Sequence, residues 1–171
     1  DSALFFAHES LKYRPKIKNN LNLIHMILSK IDDSIKLHKG YEDALKIKND
    51  DYLYAGYINI LKVKKSDSGI IRQVINNAIK DHPKSFNVHF EAANFEFDLG
   101  NLDASFKHCE QLNQIMPNNF GAWQNKGLIR FKQKRYEEAI SYFDKAMAFN
   151  APGGVSELLK GQCLEALGKR A

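Results

Sequence analysis

The sequence predicts an all-α fold built from antiparallel helix pairs that repeat every 34 residues. Three observations carry that expectation. Helix-ending stretches recur at one fixed step: "ESLKYRP" ends at Pro15, "DALKIKN" at Asn49, "NAIKDHP" at Pro83, "EQLNQIMP" at Pro117 and "KAMAFNAP" at Ala151–Pro152. Between these stops, apolar residues fall at helical steps of three and four. The chain also has no threonine, one of the usual strand formers.

Taken in order, residues 1–17 read as the second helix of a truncated pair. Residues 18–51 and 52–85 keep the period and the endings Ala44-Leu45 and Ala78-Ile79, but lose most of the small residues of their first helices. In 86–119, Val88, Ala92, Phe95 and Leu99 mark the buried face of a first helix. Gly100 and Asn101 interrupt it, and a second helix is expected from Leu102 to Ile115, before Pro117. In 120–153, the first helix carries Trp123, Gly127 and Phe131. The second carries Tyr136, Ala139, Ile140, Phe143, Ala146 and Met147. Gly127, Ala139 and Ala146 are small enough to let helices approach closely, and the aromatics fill the remaining gaps. Residues 154–171 read as the first helix of a further pair, or as a cap. Gly100 and Gly168 stand two periods apart with Lys134 between them. On this division the whole of 1–171 is one repeat array that starts and stops inside repeats. Such edges expose apolar surface, so the sequence reads as a segment of something longer.

The composition is that of an ordinary folded chain, 44% hydrophobic and 26% charged. The net charge is +5, and all of the excess lies in residues 1–85. It is spread out apart from Lys62, Lys64 and Lys65, the pattern of a solvated surface and not of a nucleic-acid interface. Cys109 and Cys163 form no C-x-x-C pair and read as small buried apolar residues. No apolar run reaches the ~20 residues needed to span a bilayer, so no membrane insertion is expected. A cytoplasmic location is the matching expectation.

A 34-residue helix–turn–helix unit with these residues resembles the tetratricopeptide repeat, whose pattern runs W-x2-L-G-x2-Y, then A-x3-F-x2-A, then P. Trp123, Gly127, Tyr136, Ala139, Phe143, Ala146 and Pro152 match it. Lys126 and Arg130 stand where the pattern has Leu and Tyr. Residues 86–119 match more loosely, through Ala92, Ala93, Gly100, Leu102 and Pro117. The resemblance implies a right-handed α-solenoid in which the first helix of each repeat lines a concave groove. Phe95, Glu96, Gly100 and Asn101 also resemble the half-a-tetratricopeptide variant of RNA-processing scaffolds, although Ser105 stands where that variant has Arg.

No enzyme constellation is present. The six histidines are scattered, with no His-x3-His pair. No G-x-S-x-G and no phosphate-cradling G-x4-G-K-[ST] is found. Asp32-Asp33 and Glu137-Glu138 read as first-turn charges that complement the helix dipole. No cofactor or metal is expected. Residues 34 apart stack into columns along the implied groove, which selects Tyr57, Phe90, Glu91, Asn94, Phe97, Gln124, Asn125, Leu128 and Phe131. Phe97 and Phe131 are equally well read as core. Asn94 and Asn125 match the two Asn positions of the clamp with which some family members grip acidic tails. Phe90, Val155 and Leu159 occupy the places of its three cations, so that activity does not carry over. The expected function is a non-catalytic scaffold for a protein or peptide partner, with self-association through the terminal helices left open. A recruitment arm of a larger enzyme, such as a glycosyl- or sulfotransferase, and an RNA-processing scaffold are the alternatives.

Overall fold

The structure is a computed structural model that describes residues 2–13, 18–150 and 153–169. Ten helices and no strand are found among the described residues, so the fold is all-α as expected. The helices are α1 (Ser2–Tyr13), α2 (Lys18–Ser29), α3 (Ser34–Ile47), α4 (Asp51–Val63), α5 (Ser68–Asp81), α6 (Phe86–Asp98), α7 (Leu102–Ile115), α8 (Phe120–Lys132), α9 (Tyr136–Ala148) and α10 (Val155–Ala166). The stops expected at Pro15 and Pro152 lie outside the described residues. α9 ends at Ala148, ahead of Pro152, with Phe149 as its C-cap.

The first helices α4, α6, α8 and α10 stop in the same way. Asn101 N–H reaches back to Glu96 C=O while Gly100 N–H reaches Phe97 C=O. The same two bonds join Arg135 to Arg130 with Lys134 to Phe131, Lys169 to Leu164 with Gly168 to Glu165, and Ser66 to Leu61 with Lys65 to Lys62. This is the Schellman motif, which satisfies carbonyls that the helix end orphans. It needs a left-handed residue, and Gly100, Lys134 and Gly168 have φ of +77°, +59° and +68°. That is the physical content of their spacing in the sequence. The next column supplies the N-cap of each second helix. Asp33 accepts from Ile35 N–H and Lys36 N–H, and Asp67 from Gly69 N–H and Ile70 N–H. Asn101 and Arg135 stand at the equivalent caps and make no side-chain cap bond.

The chain falls into two compact units, Asp1–Glu91 and Ala92–Ala171. In the first, α1 packs on α2 and α3, α2 on α3 and α4, and α4 on α5. Leu11, Ile24, Leu28, Leu37, Leu53, Ile58 and Leu61 are fully buried there. In the second, α7 packs on α8, α8 on α9, and α10 on both α8 and α9. Ala139, Phe143 and Cys163 form one cluster of its interior, and Ala93, Cys109 and Ile129 another. Both cysteines are free and buried, as read, and burial pushes the Cys109 thiol up to about 12.

One expected face is corrected. Val88, Ala92 and Phe95 are buried, but Leu99 is 46% exposed because α6 has already ended at Asp98. The buried stripe instead takes in His89 and Glu96. His89 Nε2 lies 3.0 Å from Pro83 C=O. Asn101 Nδ2 donates to Glu96 Oε2 at 2.7 Å. The Glu and Asn of the residues that resemble the RNA-processing variant are thus partners in one turn. Ser105 is buried and donates to Ala93 C=O at 2.8 Å, where an Arg would not fit.

Gly127 sits where α8 crosses α9. A Cβ there would lie 2.5 Å from Phe143 Cε1, and Phe143 is fully buried. Gly127→Leu is therefore expected to destabilise the chain by about 1–3 kcal/mol in urea or thermal unfolding. Lys134 is the opposite case, since a side chain occupies a left-handed position that glycine fills in the turns after α6 and α10. Lys134→Gly removes the Cβ–carbonyl clash at some cost in unfolded-state entropy, and a gain of about 0.5–1 kcal/mol is expected. A loss would mean that the Lys134 side chain holds contacts beyond the turn.

Candidate functional site

The residues expected to form a groove separate by environment. In the first unit, Tyr57 is corrected. It is 3% exposed and belongs to the interior. Its ring stacks on that of Tyr41, centroids 4.4 Å apart and planes at 13°, and its hydroxyl pairs with His38 Nδ1. The second aromatic ring in this layer is Tyr41, fully buried, whose hydroxyl lies 2.8 Å from His25 Nδ1. Two His–Tyr pairs thus satisfy the two buried phenols, as buried polar groups require. Burial raises the pKa of both phenols.

Phe90 and Glu91 are on the surface of the first unit. They line a cleft of about 320 Å³ together with His25, Tyr52, Gly56 and Asn59. Its walls are the first helices α2, α4 and α6. Gly56 makes the cleft: His25 lies flat against it, and any Cβ would run into the imidazole. Asn59, Asn87 and Phe90 are exposed at its rim. Asn59 makes no hydrogen bond to another described residue, while Asn87 Nδ2 rests 3.3 Å from Asp51 Oδ2. Glu91 is held by Lys62 at 3.1 Å. Tyr52 donates to Asn22 Oδ1 at 2.7 Å.

In the second unit, Phe97 packs against Ala93, Cys109 and Ile129, with Lys132 Nζ 4.1 Å from its ring centroid. Leu128 and Phe131 pack against Ala139, Phe143 and Cys163. These three are half-buried shoulders of the interior. Asn94, Gln124 and Asn125 are also half-buried, and their amides make no hydrogen bond to other described residues.

Reading alternate columns would have found more of the cleft. The same step leads from His25 to Asn59 and from Gly56 through Phe90 to Gln124. The groove as read from the sequence followed the neighbouring column through Tyr57 and took only Phe90 and Gln124 from this one. The sequence marks Lys126 only as a departure from the repeat pattern; it is 7% exposed. Its ammonium lies 4.8–4.9 Å from the ring centroids of Phe106, Trp123 and Tyr142. Arg130 lies over Phe106 at 3.8 Å and is paired with Glu138. The two cations that break the repeat pattern are therefore carried on aromatic faces. Burial lowers the pKa of Lys126. Trp123 is itself only half-buried, with its indole N–H donating to Pro117 C=O at 2.8 Å.

Residues 121–150 match the tetratricopeptide repeat family. That stretch is a tetratricopeptide repeat. It comprises most of α8 and all of α9, with the Schellman turn between them. The fold is similar to that of MamA, a tetratricopeptide repeat protein. One solved structure, MamA MSR-1, is 15% identical, with a TM-score of 0.63 over 98% of this chain and 88% of that one. Another, MamA AMB-1, is 14% identical, with a TM-score of 0.63 over 97% and 83%. At such identities the likeness is one of fold. No protein of curated function matches the sequence. No group of three or more metal-capable side chains occurs among the described residues. No described helix is long and apolar enough to cross a membrane.

Burial pushes the pKa of His25 below its ordinary value, and His8 moves the same way for the same reason. The unfolded chain then takes up these protons more readily than the folded one. Stability is complete above the ordinary histidine pKa of about 6.5 and is lost as pH falls through it. The melting temperature is expected to drop between pH 7.5 and 5.5, and His25→Gln should flatten that drop. An equal slope in the variant would assign it to other groups.

Proposed function

We propose that the chain is a non-catalytic scaffold that holds a segment of a partner protein against its first helices. Residues 18–51, 52–85, 86–119 and 120–153 serve as the successive repeats of that scaffold. The carrying observation is the cleft on α2, α4 and α6, whose rim presents Asn59, Asn87 and Phe90. Its volume of about 320 Å³ lies at the lower end of the range for binding clefts. A backbone segment needs both donors and acceptors, and the Asn59 amide offers both. Phe90 adds an apolar contact, with 36% of its surface open. The uncommitted amides of Asn94, Gln124 and Asn125 extend the same chemistry on first helices of the second unit. Membership of residues 121–150 in a family built on partner binding supports this reading.

The test is capture of partners from the source lysate on immobilised wild type, followed by affinity measurements on the protein retained. Asn59→Ala with Asn87→Ala is expected to weaken that complex by more than about 1 kcal/mol while the melting temperature holds. Lys107→Ala with Gln114→Ala, both exposed on α7, is the control. If the control abolishes binding and the Asn pair does not, the partner does not use this cleft.

A further inference from the structure

The first unit has a second cleft, of about 350 Å³, on the side formed by α3, α4 and α5. It goes beyond the scaffold reading, because no residue of the first-helix cleft lines it. Its floor is Tyr54 and Tyr57. One wall is a stripe of α3 that includes Glu42, and the other a stripe of α5 with Gln73, Asn77 and Asp81. Val74, Ile70 and Leu45 supply apolar surface between the polar groups.

The polar groups of this cleft are unequally committed. Asp81 is fixed: Tyr54 O–H donates to its Oδ2 at 2.8 Å and Asn49 Nδ2 at 3.0 Å. Both bonds fall on one oxygen, which leaves Oδ1 open. These bonds hold the Asp81 carboxyl below the usual carboxylate range, so it is charged near neutrality. Glu42 is exposed, lies near the Tyr57 phenol, and makes no ion pair with a described residue. Gln73 and Asn77 are exposed, and their amides have no described partner either. The one cation in the lining, Lys46, is 3.1 Å from Asp43, which is not part of the cleft. The result is a pocket with two carboxylates on opposite walls, free amide oxygens and an aromatic floor, in the half of the chain that carries all its excess positive charge.

We infer that this cleft receives an arginine side chain of a partner protein. A guanidinium offers five donors in a plane, which suits carboxylates and amide oxygens on two walls. Its three-carbon stem suits the apolar surface of Ile70 and Leu45. An ammonium is a compact, strongly hydrated charge and would use fewer of these groups.

The test is a titration of the full 15N-labelled chain with the capped peptide acetyl-Gly-Arg-Gly-amide, followed by NMR. The comparators replace Arg by citrulline, which keeps the shape and loses the charge, and by Lys. The side-chain amides of Gln73 and Asn77 are expected to shift with Arg at millimolar peptide, less with Lys, and not with citrulline. Glu42→Gln should weaken Arg binding about fivefold or more by removing a charge-assisted pair, with no change in melting temperature. Lys46→Ala should tighten it, since a competing cation is gone. Asn59→Ala with Asn87→Ala should leave it unchanged, which separates this site from the first-helix cleft. Equal shifts with citrulline, unchanged affinity in Glu42→Gln, shifts confined to Asn59 and Asn87, or no shift at all would each overturn the inference.

Discussion

Everything in this fold depends on stopping a helix at the right residue. Each first helix must end so that the chain can reverse and lay the second helix along it. The stop is a left-handed residue followed by a cap, and the two bonds of the Schellman motif recur at every first-helix end from α4 to α10. The conformation costs a side-chain-bearing residue about 1–2 kcal/mol. Glycine avoids that cost at Gly100 and Gly168, and Lys134 bears it. The turn in the first unit falls at Lys65, φ +53°, with Ser66 added before the Asp67 cap. The added residue accommodates α4, which starts at Asp51. Turn position and helix start shift together, so the pairing of α4 with α5 survives.

Once helices are paired, the interior must deal with side chains that are not simple hydrocarbons, and the two units do so differently. The first buries phenols and gives each a histidine: Tyr41 with His25, Tyr57 with His38. The second buries a cation and gives it rings: Lys126 among Phe106, Trp123 and Tyr142. Both solutions answer the same constraint, that a polar group removed from water needs a partner. Carrying the ammonium on rings needs no carboxylate desolvated beside it, a cost that would offset much of the ion-pair gain.

Helix number and placement were legible in the sequence because stops and caps are local. The helix Leu102–Ile115 was expected at about these bounds, since Gly100, Asn101 and Pro117 bracket it. Face assignment was less legible. Leu99 continues the apolar stripe of α6 by step count, but the helix ends one residue earlier and leaves it in solvent. Tyr57 was placed in a groove by column arithmetic. Its burial depends on Tyr41 and His38, which arrive from α3 and cannot be paired with it by periodicity. The cleft on α2, α4 and α6 was half legible. Phe90 and Glu91 line it, and Gly56 lies one period before Phe90, while Asn59 lies in a column that was not followed. Lys126 looked like a departure from the repeat pattern because its compensation comes from three different helices.

α4 shows how one helix can line two clefts. Tyr52, Gly56 and Asn59 fall at steps of four and three and line one cleft. Tyr54 and Tyr57 fall at a step of three and floor the other. At about 100° per residue these two sets lie on different sides of the same helix. Between them, Leu53, Ile58 and Leu61 are fully buried and hold the helix in place. The helix is anchored by hydrocarbon and lends its remaining surface to two chemistries, amide and aromatic on one side, phenol and carboxylate on the other. A sequence required to meet all three demands has little freedom left for the repeat consensus. That is a physical reason for the weak repeat pattern in residues 52–85.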